Sequence, residues 1–182
     1  MNTNNNEIAI QILQPSDYAL LRDSMIAMYI DSFTTGEYAQ HIDKDEAYSN
    51  IDRLMNAGDA VIAMKADRLI GFSIFTSLQS DEEFPAEGCS KVDVGKSLYI
   101  AEVLVDSKHR GKGIATMMID RILKNGAKSY SHAVIRVWQN NKPALLLYQK
   151  LGFKQIASIS QTKFASKDET FEMHKVYLAK QL

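Results

Sequence analysis

Val103-Leu104-Val105-Asp106-Ser107-Lys108-His109-Arg110-Gly111-Lys112-Gly113-Ile114-Ala115-Thr116 is the stretch on which the fold turns. An apolar run rich in valine predicts a strand, two glycines interrupt it, and Ile114, Met118 and Ile122 then recur at four-residue steps, which predicts an amphipathic helix. A helix amino terminus carries unpaired backbone N–H groups and the positive end of the helix dipole. Glycines at 111 and 113 let an anion approach that backbone without a side chain in the way, and Arg110 and Lys112 add positive charge. The segment therefore reads as a phosphate cradle on a strand-to-helix turn.

The rest of the chain supplies the framework. After this helix, residues 113–125 closed by Gly126, residues 132–138 are again strand-like, so strand, helix and strand form a right-handed crossover. Upstream, Ile8, Ile10 and Ile12 alternate as a first strand, Pro15, Ser16 and Asp17 open a helix, and a second helix covers about 45–57 with Gly58 as its left-handed stop. Residues 60–65 and 69–78 make a hairpin through Ala66, Asp67 and Arg68. The polar stretch 79–97 is too long for a simple connector and is read as a functional or mobile loop. A short helix over 143–151 ends at Gly152, and strands over 153–159 and 170–178 close the chain around a loop rich in Lys and Ser. One domain over 1–182 is expected, with 1–6 as a disordered Asn-rich tail.

Common phosphate and nucleophile motifs fail. A dinucleotide fingerprint would need a glycine where Thr116 stands and an acid near Arg136. Gly95-Lys96-Ser97 resembles the end of a P-loop, but Ser90 replaces its leading glycine. His41, His109, His132 and His174 lack metal-ligand spacing, no metal site is expected, and there is no Gly-x-Ser-x-Gly elbow.

The second informative segment is Asn140-Asn141-Lys142-Pro143-Ala144-Leu145-Leu146-Leu147-Tyr148-Gln149-Lys150-Leu151-Gly152-Phe153. Together with the glycine turn it resembles the GCN5-related N-acetyltransferase (GNAT) superfamily. Arg110, Gly113 and Ala115 fill that family's first signature, and Asn141, Ala144, Tyr148, Gly152 and Phe153 fill its second. The order of elements resembles the family over nearly the whole chain. The carboxyl-terminal half is similar to bacterial members that acetylate polyamines or related small amines.

The resemblance implies an α/β (α+β) fold, with a mixed central sheet of six or seven strands flanked by about four helices. It also implies acetyl-CoA as cofactor and transfer of acetyl directly to a primary amine of a small, polyamine-like molecule or a peptide. The pyrophosphate would rest on the backbone of Arg110, Gly111, Lys112, Gly113, Ile114 and Ala115, with Thr116 adding a hydroxyl. Val103, Leu104 and Val105 would pair with the pantetheine as with an added strand. Asn141 would hold the cofactor's arm or cap its own helix, and Ala144 keeps that helix face small.

Acetyl transfer from a thioester needs a neutral amine, whose pKa is about 10, and a proton for the departing thiolate, whose pKa is about 8.5. Tyr148 is the expected proton donor. Glu102, on the face opposite Val103 and Val105, is the candidate base if burial raises its pKa, with a water chain as the alternative. A non-catalytic acyl-CoA sensor or partner module on the same fold is the competing reading.

The acceptor would enter between 29–40, 79–97 and 161–169. Asp31, Glu37, Asp81, Glu82, Glu83 and Glu87 would favour a cationic acceptor there or form a merely solvated acidic surface, and Phe33, Tyr38 and Phe84 would line the opening or cover a core edge. The 21 basic and 22 acidic residues leave a net charge of −1, so no global basic field directs the chain to nucleic acid or an anionic membrane. A lone Cys89 excludes an internal disulfide and fits a reducing, cytoplasmic setting. A strand edge in the last hairpin is where a homodimer could form.

Overall fold

A computed structural model describes residues 7–36 and 39–182; the expected tail over 1–6, and Glu37 and Tyr38, lie outside the described residues. β1 (Ile8–Ile12) leads into α1 (Pro15–Thr34) and α2 (Lys44–Ala57). The hairpin β2 (Gly58–Lys65) and β3 (Arg68–Ser77) follows, then β4 (Ser97–Val105), α3 (Ile114–Gly126), β5 (His132–Trp138), α4 (Lys142–Lys150), β6 (Lys154–Phe164) and β7 (Thr170–Gln181). The seven strands form one sheet in the order β1-β2-β3-β4-β5-β7-β6, antiparallel except for the β4–β5 pair. That parallel pair is the product of the β4-α3-β5 crossover expected from the glycine turn.

Each sheet face is covered separately. α3 and α4 bury Ile114, Met118, Ile122 and Tyr148 against Val61, Ile70, Ile100, Ile135 and Val176. On the other face α1 and α2 bury Met25, Ile26, Ile51 and Leu54 against Ile62, Phe72, Ile74 and Leu104. Arg22 and Tyr18 of α1 fasten Asp52 of α2, the arginine Nε at 2.8 Å and the phenol at 2.7 Å. The long segment 79–97 is no free loop. Leu78, Phe84, Cys89 and Val92 pack on Tyr99, Val134 and Tyr177, extending the core past the end of α1.

Several boundaries differ from the sequence expectation, for identifiable reasons. Gly58 is extended, with φ −161°, and opens β2 instead of stopping α2 in a left-handed turn. What the position requires is space, because a Cβ there would lie 2.1 Å from the carbonyl oxygen of Phe75. Gly126 falls inside the last turn of α3, where a Cβ would meet Leu98 at 2.6 Å. β6 and β7 run on to Phe164 and Gln181, because pairing along the whole hairpin outweighs the polarity that suggested a loop from 160 onward.

Candidate active site

The site begins with an irregularity in β4. Along β3 and β4, Ile74 pairs with Glu102 and Phe75 with Ile100, so Ala101 is an extra residue, a β-bulge. Parallel pairing with β5 stops at the same level. Ser97 through Ile100 pair with His132 through Ile135, and beyond them β4 continues to Val105 and β5 to Trp138 without bonding each other. The two strands therefore part into a wedge that leaves the β4 backbone from 101 to 105 unpaired on one side.

At the wide end of the wedge lies the glycine turn. Gly111 and Gly113 have φ of +75° and +77°, the left-handed region that glycine enters without steric cost, and a Cβ at either would meet no atom within 4 Å. Gly113 caps α3 with no side-chain bond, and the first helical bond is from Met117 N to the Gly113 carbonyl at 3.0 Å. The amides of Ile114, Ala115 and Thr116 thus face outward at the positive end of a 13-residue helix. Arg110 folds back to donate from Nε to the Val105 carbonyl at 3.1 Å, and Lys112 reaches the Lys108 carbonyl at 3.5 Å, which keeps both cations at the turn. Asp106 anchors the approach by accepting from Lys108 N at 2.9 Å and pairing with Arg68 at 3.0 Å. An open, side-chain-free nest of amides beside two cations fits a pyrophosphate, and the unpaired β4 backbone fits the amides of a pantetheine arm.

The two faces of the wedge carry different groups. Val103 and Val105 turn toward α3, whereas Leu104 turns toward α1 and α2. Asn141 caps α4, its Oδ1 accepting from Ala144 N at 3.2 Å, so the capping alternative is realised and only its amide nitrogen is left to meet a ligand. Ala144 is half-buried beside the same core. Tyr148, one turn on, is 7% exposed and stacks edge-on with Phe153 at 6.3 Å. Burial and then the charge of Glu102 hold its phenol well above the usual range, so it stays protonated at any physiological pH.

Glu102 is the centre of the electrostatics. Part of its surface opens to the wedge, yet protein surrounds the carboxylate, and burial raises its pKa to about 7 against partial relief from Lys175, Arg136, Lys163 and Arg53. Tyr29 of α1 faces it as well. That phenol is held high by burial and by the Glu102 charge, while accepting from Asn50 Nδ2 at 3.3 Å. The expected pair, Glu102 and Tyr148, is thus brought to one opening from opposite faces of the sheet.

The acidic loop behaves otherwise than its composition suggests. Asp81 lies 3.5 Å from Arg136 and accepts from Tyr177 Oη at 2.8 Å, and Glu83 binds both Arg136 and Gln161. Both carboxylates are paired within the protein, Asp81 largely buried and Glu83 still half-exposed. Asp31, Glu82 and Glu87 are exposed, and Phe84 is core, edge-on to Tyr177 at 5.1 Å. Arg136, Lys175, Tyr29 and Tyr177 were not expected. The available signal was a lone arginine in the otherwise apolar run Val134-Ile135-Arg136-Val137. One surface groove, of about 460 Å³, lies between α4 and β6–β7; another, of about 570 Å³, lies between α1 and the β2–β3 turn and reaches Asp106, Ser107 and Lys108 just past the end of β4.

Comparisons with known proteins agree with this geometry. Solved structures share the fold: an N-acetyltransferase from Staphylococcus aureus Mu50 (19% identity, 97% of this chain and 99% of that one, TM-score 0.69); YncA from Salmonella typhimurium, solved with its cofactor acetyl-CoA (15%, 97% and 95%, 0.68); and NAA60 from Arabidopsis thaliana, in complex with a bisubstrate analogue (16%, 96% and 98%, 0.64). No curated protein sequence matches. The family model described as "Acetyltransferase (GNAT) family" matches residues 21–153, from the middle of α1 to the end of the second signature, and the chain accordingly belongs to the GNAT acetyltransferases, enzymes that draw their acetyl group from acetyl-CoA.

Proposed function

We propose that this enzyme moves acetyl from acetyl-CoA directly to a primary amine of a small molecule or a peptide, with Glu102 as base and Tyr148 as acid. The observation that carries the reading is the wedge between β4 and β5, with a carboxylate of raised pKa on one side and a protonated phenol on the other. Acetyl-CoA supplies the activated acetyl thioester. The amides from Arg110 to Thr116, with the Arg110 and Lys112 side chains, hold the pyrophosphate. The free backbone of Val103, Leu104 and Val105 orients the pantetheine, and the Asn141 amide nitrogen and the small Ala144 border its path.

An acceptor amine arrives as an ammonium. The Glu102 carboxylate, ionised above about pH 7, takes its proton and leaves the nitrogen lone pair free to attack. As the nitrogen–carbon bond forms and the carbon–sulfur bond breaks, the Tyr148 hydroxyl would give its proton to the sulfur, and the second proton shed by the acylated nitrogen would return through solvent to the phenolate. Among the described residues this hydroxyl donates no hydrogen bond, and only burial and the Glu102 charge act on it.

The same proposal treats 1–182 as one catalytic domain, working in the cytoplasm without nucleic-acid or membrane partners. Support comes from the near-zero net charge, the single buried free Cys89, and the lack of any helix among the described residues long and apolar enough to cross a membrane. β6 is one of the sheet's two edge strands, and apart from the Phe164 carbonyl, which accepts from His41 N, it offers an edge at which a second copy would pair. Thiol release from acetyl-CoA across polyamines, amino acids, aminoglycosides and short peptides tests the reading, with Tyr148→Phe as control. Release with one acceptor class that the variant loses supports it, and CoA binding without release from any acceptor overturns it.

A further inference from the structure

Lys175 is a charged group that the chemistry above does not use. It lies on β7 between Met173 and Tyr177 and shares their sheet face, with Trp138 of β5 opposite it on one side and Ile159 of β6 on the other. That face packs under the 79–97 segment, so the ammonium belongs to the acceptor side of the wedge, with β5 between its strand and that of Glu102. Among the described residues no carboxylate comes within ion-pair distance of it. Two carboxylates act on it from nearby: Glu102, which the chemistry above already uses, and Glu83, which is held by Arg136 and Gln161. Two residues along β6 from Ile159, the Gln161 Oε1 atom is buried without a hydrogen-bond partner.

A half-buried ammonium with no carboxylate in direct contact is poorly compensated until a ligand completes it. We infer that the acceptor of this enzyme is an amine that also carries a carboxylate, as an amino acid does, and that Lys175 receives that carboxylate while the amine meets Glu102. The inference rests on the catalytic reading above and names its substrate class.

The charge distribution supports an anion at this position. Lys175 is depressed to about 8 by burial first and then by Arg136 and Lys163, with Glu102 and Glu83 acting in the opposite sense. Arg53 of α2 adds a further cation on the Glu102 side. A carboxylate placed among Lys175, Lys163 and Arg136 is drawn in, whereas the distal ammonium of a polyamine would be repelled. The acids that a polyamine would need, Asp81 and Glu83, are spent on Arg136. The unpartnered Gln161 carbonyl oxygen supplies an acceptor for an N–H of the same ligand.

The test compares amino acids with their decarboxylated amines: leucine with isopentylamine, phenylalanine with 2-phenylethylamine, and lysine with cadaverine. Thiol release from acetyl-CoA gives kcat/KM, and equilibrium binding to the CoA-loaded protein is read in parallel. One charge-assisted contact is worth about tenfold to a hundredfold, so the amino acid should be preferred by at least about tenfold in each productive pair. Lys175→Gln should erase most of that preference through KM, and Lys175→Arg should keep it. Preference for the decarboxylated amines or for polyamines, or a preference unmoved in a folded Lys175→Gln protein, overturns the inference while leaving acetyl transfer intact. Absence of thiol release with every acceptor would instead overturn the catalytic reading. Binding of the amino acids then judges the carboxylate site by itself, and binding that Lys175→Gln does not weaken overturns it.

Discussion

Ile100 of β4 and Ile135 of β5 are the last residues at which the two parallel strands pair, and Glu102 stands two residues beyond them, past the bulged Ala101. This places a carboxylate at the apex of an opening in the sheet, where neither strand's backbone nor bulk water fully solvates its charge. A base of pKa about 7 is ionised above that pH, so kcat/KM should rise with pH through about 7. Glu102→Gln should flatten this ascending limb while leaving acetyl-CoA affinity intact. An unaltered limb would transfer deprotonation to a water chain.

The same residue makes a stability prediction of definite sign. Its folded pKa of about 7 lies above the ordinary 4.5, so the folded state binds the extra proton between those values and loses stability as pH rises through them. Glu102→Gln removes a charge that is costly at high pH. The variant should melt at a higher temperature than the wild type above pH 7, and the gap should close as pH falls toward 4.5. Thermal denaturation at a series of pH values reads this directly, without any substrate.

Tyr148→Phe removes one oxygen from a ring whose packing against Phe153 is retained. If proton donation to sulfur is its whole role, kcat should fall about 10²- to 10⁴-fold with acetyl-CoA affinity nearly unchanged. Single-turnover rates and a CoA titration on the same preparation separate the two quantities. Equal losses in both would make the residue a wall of the cofactor channel.

Much of this was legible in the sequence, because it depended on local chemistry. Gly111 and Gly113 announced a turn whose backbone is open to an anion, and the steps from Ile114 to Met118 to Ile122 announced the helix behind it. Tyr148 could be named as a candidate from motif register, and Glu102 as a candidate from its place before the valine-rich end of β4. What could not be read were relations set by pairing across the sheet. The bulge at Ala101 exists only as a mismatch between β3 and β4, and Lys175 reaches the acceptor face only because β7 inserts between β5 and β6. The six acids expected to draw in a cation include two that tertiary packing turns onto Arg136, and composition carries no trace of that pairing.

Gly113→Asp tests the cradle. The position has φ +77°, which costs a non-glycine residue about 1–2 kcal/mol, and the new carboxylate would sit at the helix terminus where the pyrophosphate belongs. No atom lies within 4 Å of the added Cβ, so the domain should still fold. CoA binding by calorimetry should be lost while the circular dichroism spectrum is kept. Tight CoA binding in this variant would remove the turn from the cofactor site.

The helix pair that roofs the acceptor side should loosen in acid in a predictable way. The hydrogen bond from Arg22, with a second from Tyr18, holds Asp52 at about 2, below its ordinary 3.8, and partial burial only partly offsets this. A depressed carboxylate contributes stability that is present above its unfolded pKa and is lost as pH falls through the folded one. Asp52→Asn should therefore lower the melting temperature at pH 7 and make no difference once the pH is below about 2. Equal melting temperatures at pH 7 would show that the pair is too solvated to matter.

Arg136 organises the floor of the acceptor side, binding Asp81, Glu83 and the Tyr177 hydroxyl at once, the last at 3.0 Å. With its side chain 16% exposed and that of Asp81 only 6%, this is an ion pair largely withdrawn from water, and removing one partner strands the other. Arg136→Met should destabilise the protein by about 3 kcal/mol and free the 81–84 segment to rapid amide exchange. Most of that cost belongs to the stranded carboxylate, so the double change Arg136→Met with Asp81→Asn should recover a good part of it. A double variant no more stable than the single one would show that the arginine acts through its packing against the Tyr177 ring, 5.6 Å away, and that the ion pair contributes little.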